Sequence, residues 1–490
     1  MSHLPVLVVV VPIAGGFLIS LVDLILPSVK KAVVLAVALS HGCVLVLAAF
    51  AALSYPPLMY VPGSWLPPVG IALRVDSFSA LFLILLAVGH CGSVLFRLGS
   101  EGSRQWEGKT AALTALLFGA LAGVVVTADL FNLFVFVELA TVCTVGLISR
   151  KQRPDSSVAG FVYLMIAAVS GALLLFAVLL IYSATGTVSM SLVAERIHEV
   201  PAALHGVILG ALVVSFGIKF GMVPFHVWQP RAYHAAGTTT AGVLSGFGMK
   251  VYLYALFRLL WGPLQAPLLL PEIFPVLQVL AMVTILVGHL MALLENNLIR
   301  MLALSSVAHG GYILLGLAAA GDVGADAAVA AALFHIAAHA LMKSSLLWSA
   351  HHAISLARSS RIVDHHGVAR EMPVVMAAFM VAALAIAGIP PTGGFFSKWL
   401  VALAQGSLLP VLVIALGTVI SMGYYARYFV VVMAKRPPEP LRQVRSRSIL
   451  STAVVVVFAG VVAAAGVAQG PLQSLFVVMA GSLTGSGGLP

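Results

Sequence analysis

Ser215-Phe-Gly-Ile-Lys219-Phe-Gly-Met-Val-Pro224-Phe-His226-Val-Trp-Gln-Pro230 lies inside a long apolar run, and the next apolar run carries Gly248-Met-Lys250-Val-Tyr252. An ammonium group at the centre of a membrane helix costs roughly 2.5 to 3.5 kcal/mol on insertion scales. Two lysines in such runs therefore need a compensating role, and intramembrane ionisable residues mark ion pathways. Pro224 removes a backbone donor five residues after Lys219, and Gly217 and Gly221 weaken the same segment. A membrane helix broken beside a charge is the signature of a translocation site, because unwound backbone at that depth is tolerated only against protein or water.

The whole chain agrees with a membrane setting. Its 490 residues are 61% hydrophobic and 9% charged, against roughly 25% charged in soluble domains, with a mean hydropathy of +1.10. These values exclude a soluble enzyme and lead to an all-α polytopic membrane fold. Fourteen apolar segments of spanning length lie near 4 to 26, 32 to 53, 77 to 98, 110 to 127, 129 to 149, 158 to 182, 205 to 230, 236 to 261, 272 to 294, 300 to 319, 326 to 350, 373 to 403, 407 to 433 and 448 to 468. The first has no basic flank and no small-residue cleavage site, so it reads as a span and not a signal peptide.

A net charge of +10 would suggest nucleic acid in a soluble protein, but here its distribution gives it another meaning. Loops after odd-numbered spans hold eighteen Lys and Arg, from Lys30 to Arg447, whereas loops after even-numbered spans hold three, Arg74, Arg196 and Arg258. That bias places the odd loops in the cytoplasm and both termini outside, in a bacterial inner membrane. The basic loop 435–447 suits anionic lipid headgroups, and no nucleic-acid partner is expected. Cys43, Cys91 and Cys143 sit singly in apolar segments, which leaves no thiolate set for zinc or an iron-sulfur cluster. No cofactor is expected on this chain; any electrons would be carried by another subunit.

The first three spans (1–109) are nearly free of charge and read as scaffold, with an aromatic, proline-rich external loop from Tyr55 to Pro68 and Asp76 as a helix cap. Asp129 reads as a second cap. Glu138, two and a half turns further on, falls near the bilayer midplane, where a carboxylate without a cationic partner would neutralise. In the eleventh span, Phe334-His335-Ile-Ala-Ala-His339-Ala-Leu-Met-Lys343 puts three titratable side chains on one helix face, after Ser305-Ser-Val-Ala-His309 in the tenth. The H-x-x-x-H spacing alone would suit zinc, but it lacks an acidic or thiolate third ligand and a lysine follows at the next step; a proton relay fits better. His351, His352, His365 and His366 fall in a cytoplasmic loop and read as solvated surface.

A second break, Ala387-Gly-Ile-Pro390-Pro391-Thr-Gly-Gly-Phe-Phe-Ser-Lys398, follows 166 residues after the first. Spans four to eight (110–261) and nine to thirteen (272–433) each hold five helices, and an odd number makes the second unit run through the membrane inverted. Under that offset Lys219 falls on Ala385, so the repeat concerns the scaffold and not single charges. Residues 434–490 read as a basic loop, a last span and a short external tail after about 470.

Asp129-Leu-Phe-Asn-Leu-Phe-Val-Phe-Val-Glu138, Val223-Pro-Phe-His-Val-Trp-Gln-Pro230, Leu304-Ser-Ser-Val-Ala-His309 and Gly388-Ile-Pro-Pro-Thr-Gly-Gly-Phe-Phe-Ser-Lys398 occur in the order seen in a known family. Over roughly residues 70 to 435 the chain resembles the antiporter-like subunits shared by Mrp-type cation/proton antiporters, the proton-pumping arm of respiratory complex I and membrane-bound hydrogenases. The likeness is strongest to the D-type component of Mrp antiporters and its hydrogenase counterparts. The resemblance implies a charged pair of Glu138 and Lys219, then Lys250, the middle histidines His309 and His335 or His339, and the later lysines Lys343 and Lys398. It also implies partner subunits in the membrane. Two strings depart from the family pattern: His234-Ala-Ala-Gly-Thr-Thr-Thr240, and the histidine-rich loop at 351–366.

The expected mechanism moves protons along Lys219, Lys250, the histidines, Lys343 and Lys398, with Glu138 as the switch. A carboxylate about 4 Å from an ammonium contributes roughly 4 kcal/mol at an effective dielectric near 20, similar in size to the cost of burying the charge. A small displacement of Glu138 is then enough to load or release a proton. The expected setting is a monovalent cation (Na+)/H+ antiporter complex. The alternatives are a redox-driven complex with the same path, and a structural subunit without ion transport.

Overall fold

The computed structural model describes residues 3–54, 57–100, 107–149, 154–266, 270–320, 325–435 and 448–484. The chain is a bundle of long apolar helices: α1 Leu4–Ile25, α2 Lys30–Ser54, α3 Ser77–Ser100, α4 Gly108–Val126, α5 Leu130–Ile148, α6 Pro154–Thr185, the short α7 Met190–Arg196, α8 Ala202–Phe220, α9 Trp228–Val243 and α10 Met249–Trp261. The second half holds α11 Ile273–Leu294, α12 Leu298–Ala318, α13 Ala325–Ala357, the short α14 Val368–Glu371, α15 Pro373–Ala387, α16 Gly393–Leu403, α17 Leu408–Met433, α18 Ile449–Val467 and α19 Gln469–Thr484. Among the described residues, twelve helical stretches are long and apolar enough to cross a membrane. One of them, Ala202–Trp261, contains two of the expected spans, and the expected span 373–403 is split into α15 and α16. The all-α polytopic membrane fold is thus observed, with the expected spans helical except at the breaks in 205–230 and 373–403.

Both breaks fall where proline and glycine stand, and they are built alike. Helix α8 ends on Gly221 at φ 82°, with Met222 N–H bonded to Gly217 O at 2.7 Å and Gly221 N–H to Ile218 O at 3.3 Å. Helix α15 ends on Gly388 at φ 89°, with Ile389 N–H to Leu384 O at 3.0 Å and Gly388 N–H to Ala385 O at 2.9 Å. The left-handed residue that reverses the chain in this paired capping motif has no Cβ to clash. The two glycines are 167 positions apart, one more than the spacing of Pro224 and Pro390, so Lys219 falls opposite Ile386 and not Ala385. Directly after α9, a π-helical turn at Leu244–Gly248 leads into Lys250.

Helix α12 is buried along its whole length, and α13 packs against α9, α12, α15, α16, α18 and α19. That places α12 and α13, with His309, His335, His339 and Lys343, at the centre of the second half. Exposed apolar residues lie instead on helices such as α1, α6 and α17, among them Phe17, Phe161 and Leu412.

Three expectations need correction. The external loop from Tyr55 is in its described part a small antiparallel sheet, β1 Leu58–Tyr60 paired with β2 Leu73–Val75, which lets the connection satisfy its own backbone. The stretch after 470 is helix α19, whose Phe476, Met479 and Ala480 pack against α13, because its apolar residues recur at helical spacing. Lys30, Lys31, Arg97, Lys109, Arg231 and Arg300, counted on the odd side, and Arg258, counted on the even side, lie inside α2, α3, α4, α9, α12 and α10 and not in loops, which narrows the charge asymmetry without changing its sign. Of the other basic loop residues, Arg104, Arg150, Lys151, Arg153, Arg436, Arg442, Arg445 and Arg447 lie outside the described residues.

Candidate functional site

Glu138 and Lys219 meet across α5 and α8. Lys219 Nζ lies 3.4 Å from Glu138 Oε1 and donates to Thr141 Oγ1 at 2.5 Å. The lysine side chain is fully enclosed, while that of Glu138 is 32% exposed. The end of α8 also stabilises the ammonium. Lys219 occupies the last turn of α8, where unpaired carbonyls carry partial negative charge. Room for the carboxylate comes from Gly171 on α6, where a Cβ would stand 2.6 Å from Glu138 Oε1.

Between Lys219 and the π-helical turn lies a cavity of about 10 Å³ lined by Lys219, Thr144, Tyr163, Tyr233, Gly248 and Tyr252. That is space for about one water beside polar partners. On the far side of the turn, buried Lys250 bonds the Ser245 carbonyl. Ser245 Oγ lies 2.7 Å from Ser306 Oγ, Ser306 donates to Leu302 O at 3.0 Å, and Lys343 Nζ donates to the same carbonyl at 2.8 Å. Lys250 and Lys343 are thus neighbours around one serine-carbonyl junction.

The histidines follow. His309 Nδ1 is 3.0 Å from His335 Nε2, and His335 Nδ1 is 2.9 Å from Ser397 Oγ on α16. His339 stacks on His309 at 4.9 Å between ring centroids, and neither of its ring nitrogens has a hydrogen-bond partner among the described residues. Lys398 closes the array: its Nζ donates to Ala387 O at 3.2 Å, at the end of α15, and stands 4.8 Å above the Tyr312 ring. Both half-helix ends therefore receive a lysine, Lys219 from within α8 and Lys398 from the helix after the break.

The structure brings all eight expected residues into one array, buried except at Glu138, but changes their order. Lys343 sits beside Lys250, ahead of the histidines, because its long side chain reaches back to Leu302 and does not continue the one-face line of His335 and His339. Sequence reading missed His289, buried on α11 between Tyr312 and Tyr424, and Ser397, the partner of His335. It also misread His365, which is buried and bonded to Tyr428, and His351 and His352, which lie in α13 and not in a loop, half-buried against Phe96, with His351 Nδ1 3.1 Å from Thr238 Oγ1. His234, in the first departing string, lines a cavity of about 320 Å³ with Asp155, Arg231 and Arg300. Among the described residues no three His, Cys, Asp or Glu side chains are grouped to hold a metal ion.

Two acidic residues at helix starts fit their expected caps. Asp129 accepts from Asn132 N at 2.8 Å, and burial holds its carboxyl above the usual range. Asp76 accepts from Ser79 N at 3.0 Å but also takes a bidentate pair from Arg258 at 2.6 and 2.8 Å. Burial works against its ionised form, but the Arg258 guanidinium outweighs it and holds the carboxyl below the usual range.

Residues 127–422 match the family described as NADH:quinone oxidoreductase/Mrp antiporter, TM. NADH-quinone oxidoreductase subunit N of Desulforudis audaxviator is 33% identical over 454 residues, 90% of this chain and 88% of that one. F(420)H(2) dehydrogenase subunit N of Methanosarcina mazei is 32% identical over 75% of this chain and 76% of its own. Among solved structures, a chain of the archaeal membrane-bound sulfane sulfur reductase superposes with a TM-score of 0.90 at 26% identity, covering 99% of this chain and 98% of that one. A chain of the Mrp complex from Dietzia sp. DQ12-45-1b gives 0.86 at 24% identity, over 99% of this chain and 98% of its own, a likeness of fold. This chain belongs to the NADH:quinone oxidoreductase/Mrp antiporter family of membrane subunits.

Proposed function

We propose that this chain is the proton-translocating subunit of a redox-driven membrane complex. The observation that carries the proposal is the buried array from Glu138 and Lys219 through Lys250, Lys343, His339, His309 and His335 to Lys398. Amines and imidazoles held in a dry interior are costly, and a chain of them across the bilayer interior suits proton relay. The order of preference expected from sequence is reversed here. Relatives at 32 to 33% identity are named as subunits of NADH-quinone oxidoreductase and F(420)H(2) dehydrogenase, which favours electron transfer as the driving reaction over exchange for sodium.

Glu138 is the switch in this reading. Its side chain is one-third exposed at a depth where acyl chains would neutralise a carboxylate, so a neighbouring membrane subunit is expected to cover it. Movement of that neighbour draws Glu138 toward or away from Lys219 and loads or releases one proton. The five-helix units 110–261 and 272–433, inverted relative to each other, hold the two half-helix ends against the array. The basic loops face the cytoplasm and both termini face outward.

The test is to purify the assembly through a tag on this chain, identify the subunits that come with it, and reconstitute it. Proton movement that needs a redox donor and runs without sodium supports the proposal. Proton movement driven by a sodium gradient with no donor refutes it in favour of a cation/proton antiporter.

A further inference from the structure

A second polar chain leaves the array sideways. His289, fully buried on α11, has a hydroxyl on each ring nitrogen: Tyr312 at 3.2 Å on Nε2 and Tyr424 at 3.2 Å on Nδ1. The Tyr424 hydroxyl donates to Ser305 Oγ at 3.0 Å, and Ser305 Oγ is 3.3 Å from the Tyr425 hydroxyl. One turn further along α17, the Tyr428 hydroxyl is 3.0 Å from Nδ1 of His365. His365 has no exposed surface, yet it stands in the basic-face connection between α13 and α14, with Nε2 2.8 Å from the Ser359 carbonyl. At the inner end the Tyr312 ring lies 5.1 Å from His309 and beneath Lys398.

The make-up of this chain differs from ordinary satisfaction of buried groups. Hydroxyls in the same helices usually end on a carbonyl of their own helix, as Thr284 does on Leu280 and Ser306 on Leu302. From Tyr312 to Tyr425, by contrast, successive links are hydroxyls or an imidazole, each able to donate and accept. With Tyr424 donating to Ser305, one neutral tautomer completes a single direction: Tyr312 O–H donates to His289 Nε2, and His289 Nδ1–H donates to Tyr424. The junction depends on Gly417, where a Cβ would lie 2.9 Å from His289 Cδ2 and would strike the Tyr312 hydroxyl.

We propose that Tyr312, His289, Tyr424, Ser305, Tyr425, Tyr428 and His365 form a proton branch that joins the central array to the basic, cytoplasmic face through α11 and α17. In the orientation set by the Tyr424 to Ser305 bond, a proton leaving the His309 and His335 pair is matched by one given up at His365 toward the cytoplasmic face. Each link gains a proton on one side and gives one on the other, so no charge stays behind and no further reactant is needed. Two steps are crossed without a direct bond: from the His309 ring to Tyr312, 5.1 Å between centroids, and over the short helical turn between Tyr425 and Tyr428, with side chains roughly 5 to 6 Å apart at Cβ. The branch rests on the proposed proton-translocating function.

The test uses the complete reconstituted assembly with Tyr424→Phe, Ser305→Ala and His365→Gly, and with Lys219→Ala as the control for the array itself. Tyr424→Phe and Ser305→Ala are expected to lower proton translocation at least fivefold while subunits co-purify and the driving reaction continues. His365→Gly is expected to fall similarly and to recover with added imidazole but not with pyrrole, a ring of the same size without a basic nitrogen. Where His365→Gly does not assemble, His365→Gln replaces it, with the same expected loss. Full translocation in Tyr424→Phe and Ser305→Ala overturns the branch, as does equal rescue by pyrrole. Unchanged translocation in Lys219→Ala overturns the underlying function instead, so the two failures are told apart.

Discussion

His309 Nδ1 and His335 Nε2 are 3.0 Å apart, with rings 7° from parallel and centroids 5.2 Å apart. One nitrogen donates and the other accepts, and exchanging those roles moves a proton between α12 and α13 without moving either helix. His335→Gln keeps a hydrogen-bonding side chain there but loses the ring that can take up a proton on one nitrogen while giving one from the other. Proton translocation by the reconstituted assembly is expected to drop at least tenfold, with co-purification of the other subunits retained.

Gly388 and Lys398 give a second prediction. A Cβ at Gly388 would stand 3.2 Å from Lys398 Cδ and 3.6 Å from its Nζ, on a backbone at φ 89°. Gly388→Ala is expected to cost about 1 to 2 kcal/mol of stability for the left-handed conformation. Its effect on transport is expected to be larger, at least tenfold, because the amine is pushed away from the Ala387 carbonyl. Thermal unfolding and proton translocation measured on the same preparation separate the two effects.

The parts legible in the sequence were those where a residue contradicts its surroundings. Lys219, Lys250 and Glu138 stand out as charges in hydrocarbon, and the breaks at 221–224 and 388–391 stand out as glycine and proline in helices. His289, Tyr424 and Ser397 were not legible, since a lone histidine, tyrosine or serine in an apolar helix has no period of its own. Their meaning comes from partners on other helices, such as Tyr424, 135 positions from His289. The place of Lys343 was misjudged for a related reason: helical spacing fixes the face from which a side chain leaves, and a four-carbon stem decides where the amine ends. His365 was read as surface because its loop is polar, whereas Tyr428 from α17 covers it.

The Asp76 and Arg258 pair predicts a stability pattern. Asp76→Leu leaves the guanidinium of Arg258, 13% exposed, without its carboxylate. The loss of a buried partner is expected to cost about 3 to 5 kcal/mol, whereas Asp76→Leu combined with Arg258→Met recovers most of it. Thermal unfolding of the purified assembly is the measurement, and equal loss in the single and double variants would contradict this account.

His365 predicts a pH dependence of loop docking. Burial lowers its pKa below the ordinary 6.5, against smaller raising effects of the Ser359 carbonyl and Asp364. The docked ring thus prefers the neutral form, and the undocked ring binds more protons, so docking is at full strength above pH 6.5 and weakens as pH falls from there toward the docked value. Amide hydrogen exchange across residues 359–366, corrected for intrinsic rates, is expected to be faster at pH 5.5 than at pH 7.5. His365→Gln is expected to remove the difference.

The central claim is that protons cross through Lys219 and the groups beyond it. Proton translocation per turnover of the driving reaction, measured in proteoliposomes of the complete assembly with Lys219→Ala, tests it most directly. Loss of translocation to a tenth or less, with the assembly intact, is the expected result; translocation equal to the unaltered assembly would contradict it.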